Sequence, residues 1–199
     1  MTNLVTNQTD QCGINLFGAS LWKFYYKFDW TLLENKANIL FNSVDKNSFL
    51  EKGAAWSTVS ANKINQPHLW PELAHFIEWV KITVSGISKD LNFQTDRCNI
   101  INSWINKHDK FGETLEHNHN NVTFVVSCYL QCPENSGNIV FKDPLEYHKA
   151  HWPIFPEEHL YQEIKVATND VLIFPGYLKH YVRPNLSDQS RYVLTLNIS

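Results

Sequence analysis

Cysteine is scarce in this chain: Cys12, Cys98, Cys128 and Cys132 are the only four in 199 residues. Their spacing is too irregular for a disulfide framework or a zinc ribbon, so they read as reduced thiols. An excess of one charge is missing as well. The formal net charge is -3, and acids and bases are scattered without a like-charge run. Nothing electrostatic therefore argues for nucleic acid or a membrane surface as a partner. No apolar run is long enough to span a bilayer. Residues 1–11 have neither the basic stretch nor the apolar core of a secretory signal, and the location expected from that is cytoplasmic. Internal repeats and low-complexity linkers are absent too.

What the chain does have is a hydrophobic share of 43%, with 12 Phe, 8 Tyr and 7 Trp, the composition of a packed globular protein. At 23.2 kDa one domain is expected over 1–199. Residues 1–96 read as an N-terminal strand and supporting helices. The aromatic-rich stretch 14–28 suggests one opening strand, Asp29 a helix cap, and 30–42 a helix with Leu32, Leu33, Ala37, Leu40 and Phe41 at helical spacing. Residues 44–65 read as polar connection. From Pro71 the longest helix carries an apolar stripe of Leu73, Phe76, Ile77, Val80, Val84, Ile87 and Leu91, with His75 beside it as a packing or surface residue.

From 97 the period changes to alternation. Strands are expected over 98–105, from 114, over 122–131, 137–142, 160–166, 171–174, 181–183 and 192–198, with a Pro- and aromatic-containing loop over 145–159. About eight short strands is the density of a double-sheet jelly roll. The fold class is thus α+β, mainly β: a double-stranded β-helix (jelly roll) over 97–199, preceded by N-terminal helices.

His117-Asn118-His119 is the stretch that suggests chemistry. Two imidazoles at i and i+2 on an extended backbone share a face and can reach one ion, and imidazole suits iron, copper, nickel or zinc. Cys128 and Cys132 are expected to share one strand face, at a parity opposite to the histidines, as buried small side chains. A third ligand is offered where 169–180 reads as a buried strand, a Pro-Gly turn and then His180. Three convergent imidazoles would leave the opposite face of an octahedral ion open; the alternative is a His180 that caps a turn. In 191–197 the apolar set Tyr192, Leu194 and Leu196 belongs against the helices. Arg191 then looks inward, where it needs a carboxylate, either a structural partner or a bound ligand.

The ordered run Trp104-x-Asn106, His117-x-His119, Ser127-Cys128-Tyr129-Leu130, Ser136-Gly137-Asn138-Ile139-Val140-Phe141, Phe174-Pro175, His180 and Arg191 resembles the Fe(II)/2-oxoglutarate-dependent oxygenases. The likeness spans 101–198, about half the chain, and is nearest to a prolyl-hydroxylase-like bacterial and phage branch. The resemblance implies that His117, His119 and His180 hold Fe(II). It also implies that Arg191, assisted by Tyr129, binds the far carboxylate of 2-oxoglutarate, and that O2 is consumed to hydroxylate a small molecule or a protein side chain. One departure stands out: most of the superfamily has Asp or Glu where this chain has His119, and a neutral third ligand leaves the ion more positive. Glu116 has the wrong parity to replace it, and Asp143 is the remaining nearby carboxylate. Substrate-side candidates are Asn102, Trp104 and Asn106 on one strand face and Trp152 in the 145–159 loop, which is expected to act as a lid. The competing readings are a cupin and a non-catalytic binding module. Cupins place a glutamate four or five residues after the second histidine, where Thr123 and Phe124 stand here. The sequence leaves the oligomeric state open.

Overall fold

The structure, a computed structural model, describes residues 12–16, 19–43, 50–60, 65–93, 98–149 and 160–199. The strands are β1 (Cys12–Leu16), β2 (Ala19–Tyr25), β3 (Glu51–Lys52), β4 (Ala55–Ser57), β5 (Ile100–His108), β6 (Glu113–His117), β7 (Phe124–Gln131), β8 (Ile139–Lys142), β9 (Tyr161–Ile164), β10 (Asp170–Pro175), β11 (His180–Val182) and β12 (Arg191–Ile198). They form two antiparallel sheets, one in the order β1-β2-β10-β7-β12-β5-β4 and the other β3-β6-β11-β8-β9. The helices are α1 (Trp30–Ser43), α2 (Ala74–Asp90) and the single turn α3 (Glu146–Lys149). Among the described residues no helix is long and apolar enough to cross a membrane.

Period-two alternation decides the layering. On β7, Phe124, Val126, Cys128 and Leu130 join Tyr192, Leu194, Leu196 and Ile198 of β12 and Val171 and Ile173 of β10 in a core against α1 and α2. The alternate residues Val125, Tyr129, Leu172, Phe174 and Val193 meet Ile139, Phe141 and Ile164 of the smaller sheet in a second core. The larger sheet is thus buried on both faces, and the predicted apolar set of β12 faces the helices. Each fully buried Leu, Ile or Phe contributes about 1.5–3 kcal/mol of transfer free energy.

Both helices obey their stripes. Asp29 Oδ1 accepts from the Leu32 N–H at 3.3 Å, and Leu33, Ala37, Leu40 and Phe41 are buried. α2 buries Phe76, Ile77, Val80, Val84 and Ile87 after a 3-10 turn at Pro71–Leu73. Leu91 departs from the predicted stripe: it is 37% exposed, because Asn92 takes a left-handed φ of 56° and turns the chain away.

Three further expectations are corrected. The single opening strand is a hairpin, with Cys12 paired to Lys23 and Leu16 to Ala19. The connection over 44–65 contains β3 and β4, too short to show a period, recruited by pairing with β6 and β5. Cys128 and Cys132 do not share a face: Cys128 lies in the helix-side core and Cys132 in the inter-sheet core. A register shift where Tyr192 pairs with Gln131 but Val193 with Tyr129 reverses the parity. The described cysteines, Cys98, Cys128 and Cys132, are free thiols.

Candidate metal centre and anion pocket

A cavity of about 240 Å³ opens between the sheets, and side chains from both line it. His117 closes β6, His119 follows two residues on, and His180 opens β11 directly opposite His117 in the antiparallel register. The Pro-Gly turn after β10 fixes the geometry: the His119 N–H donates to Gly176 O at 2.9 Å, and the Gly176 N–H donates to Thr123 O at 3.1 Å. A Cβ at Gly176 would overlap the Val122 carbonyl oxygen, so the two loops interlock only around glycine.

The three rings converge. One ligand nitrogen from each lies within 4.8 Å of the others, and no other such group of histidine, cysteine or carboxylate residues occurs among the described residues. Each Nδ1 meets an oxygen acceptor: Leu115 O at 2.8 Å for His117, Asn197 Oδ1 at 2.6 Å for His119 and Leu178 O at 2.8 Å for His180. These acceptors assign the proton to Nδ1 and leave the Nε2 lone pairs free, the arrangement that metal-binding histidines use. Burial lowers the pKa of all three, to about 4 for His119 and well below the ordinary value for His180, where His117 and His119 add their own effect. The imidazoles are therefore neutral at pH 7, as ligation requires. Trp104 stacks on His119 at 5.8 Å between ring centroids. Phe141 and Phe174 pack on His180 at 5.7 and 5.0 Å.

Neither nearby carboxylate completes the set. Glu116 is exposed on the outer face and approaches Lys142 at 3.7 Å, while Asp143, buried at the end of β8, accepts from the Leu145 N–H at 2.8 Å and does not line the cavity. Thr123 and Phe124 supply no acid where a cupin would have one, and Phe124 belongs to the helix-side core.

Arg191 enters the same cavity from β12 and is 2% exposed. The carboxylate partner expected for it is not what it contacts. Among the described residues its Nη1 donates to Ser136 O (3.1 Å) and Gly137 O (2.8 Å), and Nη2 to His108 Nδ1 (2.5 Å). Its Nε is buried with no partner. An orphan N–H on a buried cation is costly unless something fills it, and a ligand carboxylate matches the need. Gly137 has a φ of 85° and a Cβ there would overlap the Arg183 carbonyl oxygen, so glycine is what lets this backbone carbonyl reach Arg191. Tyr129 lines the cavity from β7, and burial pushes its phenol pKa upward while the Arg191 charge pulls it back.

Of the substrate-side candidates, Trp104 and Asn106 line the cavity and Asn106 Oδ1 is a buried acceptor without a partner. Asn102 lies one step further along β5, opposite Asn197, outside the lining. Trp152 and the rest of 150–159 lie outside the described residues; of the expected lid only α3 and its flanks are described, with Tyr147 74% exposed. Sequence reasoning missed four residues. Asn197 shares the parity of Arg191 on β12 and lines the cavity, so its inward face was readable but its contact with His119 was not. His108 shares the parity of Trp104 and Asn106 and lines the cavity, a signal that was available. Thr114 and Glu51 gave none, for reasons of local geometry: β6 is irregular, since His180 pairs with His117 while Val182 pairs with Thr114, so one extra residue is accommodated between them. The bulge turns Leu115 and Glu116 both outward and brings Thr114 and His117, three apart, into one cavity.

A mainly antiparallel two-sheet protein with a triple-imidazole cluster and a buried arginine in one cavity is the class defined so far. Residues 102–197 match the family model described as putative 2OG-Fe(II) oxygenase, and the match takes in every residue of the histidine cluster and Arg191. That family is one of Fe(II) and 2-oxoglutarate. No curated protein matches the sequence. Among solved structures, a prolyl-4-hydroxylase from Pseudomonas putida superposes with a TM-score of 0.57 at 9% identity, covering 89% of this chain and 91% of that one. HygX from Streptomyces hygroscopicus, with nickel, 2-oxoglutarate and hygromycin B bound, gives 0.54 at 13% identity over 91% and 83%. A 2OG-Fe(II) oxygenase family oxidoreductase from Burkholderia pseudomallei gives 0.50 at 12% over 96% and 73%. At these identities the likeness is one of fold.

Proposed function

We propose that this protein is an Fe(II)/2-oxoglutarate-dependent oxygenase of hydroxylase type, built on a jelly roll, with His117, His119 and His180 as the metal ligands. Three neutral imidazoles with blocked Nδ1 atoms sharing a cavity with an Arg191 whose Nε lacks a partner is the observation that carries the reading. The matched family supports the cofactor pair. Iron, once held there, supplies the oxidising chemistry that couples decarboxylation of the oxo acid by O2 to hydroxylation of a C–H bond.

The chain's own residues do the rest. Leu115 O, Leu178 O and Asn197 Oδ1 aim the three Nε2 lone pairs at one point. Arg191 Nε, with Tyr129 beside it, receives the far carboxylate of 2-oxoglutarate where both side chains are buried and the charge interaction is strong. Trp104 and Asn106 form the wall toward the substrate, Asn106 Oδ1 accepting a donor from a small molecule or a protein side chain. Anaerobic addition of 2-oxoglutarate to the Fe(II)-loaded protein should produce a visible metal-to-ligand absorption band, and succinate should accumulate in air. Absence of both would overturn the assignment in favour of a metal-dependent barrel without a cosubstrate.

A further inference from the structure

A chain of hydrogen bonds continues from Arg191 to a second buried charge. Arg191 Nη2 meets His108 Nδ1 at 2.5 Å, His108 Nε2 meets Glu51 Oε2 at 2.9 Å, and Thr114 Oγ1 donates to the same carboxylate oxygen at 2.9 Å. The His108 and Glu51 side chains are 1% and 4% exposed. A guanidinium has donors only, so His108 Nδ1 accepts and the imidazole proton sits on Nε2, facing Glu51. His108 is thereby neutral; burial and the Arg191 charge both hold its pKa well below the ordinary value. It is a fixed spacer between one cation and one acid.

The acid has few other neighbours that titrate. Glu51 faces Thr114 from β6, His108 from β5 and Arg191 from β12, while β4 offers only Ala55, Trp56 and Ser57. Its neighbour Lys52 is exposed and pairs in register with Glu113. His117 lines the same cavity as a neutral ring, and Tyr129 and Cys132, which act electrostatically on Arg191, are held protonated by burial. Burial raises the pKa of Glu51 to about 7, with Thr114 and Arg191 pulling it back.

With Glu51 ionised, the buried pair carries no net charge. Bringing a second carboxylate to Arg191 then places two anions on one desolvated cation, which is costly, and a proton on either acid removes the cost. The carboxyl groups of 2-oxoglutarate are ordinary solution acids, so the proton goes to the acid already disposed to hold it. Resting on the reading of Arg191 as the cosubstrate anchor, we infer that His108 and Glu51 are positioning residues of that subsite: His108 orients the guanidinium, and Glu51 takes one proton from solvent when the far carboxylate of 2-oxoglutarate docks. One O–H bond forms on Glu51 and no other covalent bond changes.

Calorimetric titration of the Mn(II)-loaded protein with 2-oxoglutarate, in buffers of different ionisation heat, counts the proton directly. Close to one proton should be taken up per ligand at pH 8 and close to none at pH 6, and affinity should fall about tenfold per pH unit above about 7. Titration with 2-oxopentanoate, which has the same chain without the far carboxylate, should show neither effect. Glu51→Gln should abolish the uptake and flatten the pH profile; His108→Phe should weaken 2-oxoglutarate more than tenfold and leave 2-oxopentanoate unchanged. No uptake by the wild-type protein at pH 8 overturns the inference, as does uptake retained in Glu51→Gln, and the wild-type count decides alone if a variant does not fold. A wild-type protein that binds both oxo acids equally removes Arg191 as anchor and this inference with it. One that prefers 2-oxoglutarate without taking up a proton overturns this inference and leaves Arg191 as the anchor.

Discussion

His117 and His180 stand opposite each other in the antiparallel pair of β6 and β11, with their ring centroids 4.4 Å apart. Each ring spends its Nδ1 on a backbone carbonyl, which leaves Nε2 as the atom available to a metal. Replacing His180 with alanine should therefore lower iron affinity by more than about a hundredfold, read by metal analysis after equilibrium dialysis. Unchanged iron content and affinity would take His180 out of the centre.

Asn197 holds His119 through a 2.6 Å contact and touches the centre only through it. Asn197→Leu should cost about 10- to 100-fold in metal affinity, the range for an outer-shell partner of a ligating imidazole. Asn197→Asp, which keeps the acceptor, should restore most of it.

Arg191→Met should weaken 2-oxoglutarate by about 10- to 150-fold, the range for a hydrogen bond to a charged group, with little change for 2-oxopentanoate. Gly137→Ala should give a milder loss of the same selectivity, because it displaces a carbonyl that holds Arg191 at 2.8 Å. Binding of both acids at fixed Mn(II) concentration separates anchoring from chelation.

The acid side of the stability curve carries a sign that can be checked. His119 titrates near 4 in the fold and near 6.5 when unfolded, so between those values the unfolded chain binds more protons and stability falls as pH falls. Glu51, raised from 4.5 to about 7, acts in the opposite direction across 4.5 to 7. His117, His180 and His108, all lowered by burial, act as His119 does, so denaturant unfolding of the apoprotein should show stability declining as pH falls. Glu51→Gln should steepen it, and a metal that binds only the folded protein should raise the midpoint at neutral pH.

Much of this site could be read from the sequence because strand alternation is strict where a sheet is buried on both sides. The parity of 191–198 placed Arg191 in the cavity and Tyr192 in the helix core, and both are there. His180 was legible because a Pro-Gly turn delimits it. The His108–Glu51 pair was not: its partners come from β5 and from a two-residue strand inside a polar segment, and only tertiary pairing gives that strand its identity. Asn102 misled for the converse reason, since parity fixes the face but not how far the cavity extends along it.

The irregularity in β6 also bears on which changes of chain length this protein can survive. Leu115 and Glu116 both point outward, and the extra residue they make up between Thr114 and His117 is what lets one short strand serve the metal centre at His117 and the anion network at Thr114. Removing either Leu115 or Glu116 would restore regular alternation and leave every functional side chain in the sequence. It would set Thr114 and His117 two positions apart, the spacing at which a regular strand presents both side chains on one face. A single-residue deletion here therefore keeps the metal centre and the anion network on one face, whereas straightening the strand at its present length would turn one of the two outward.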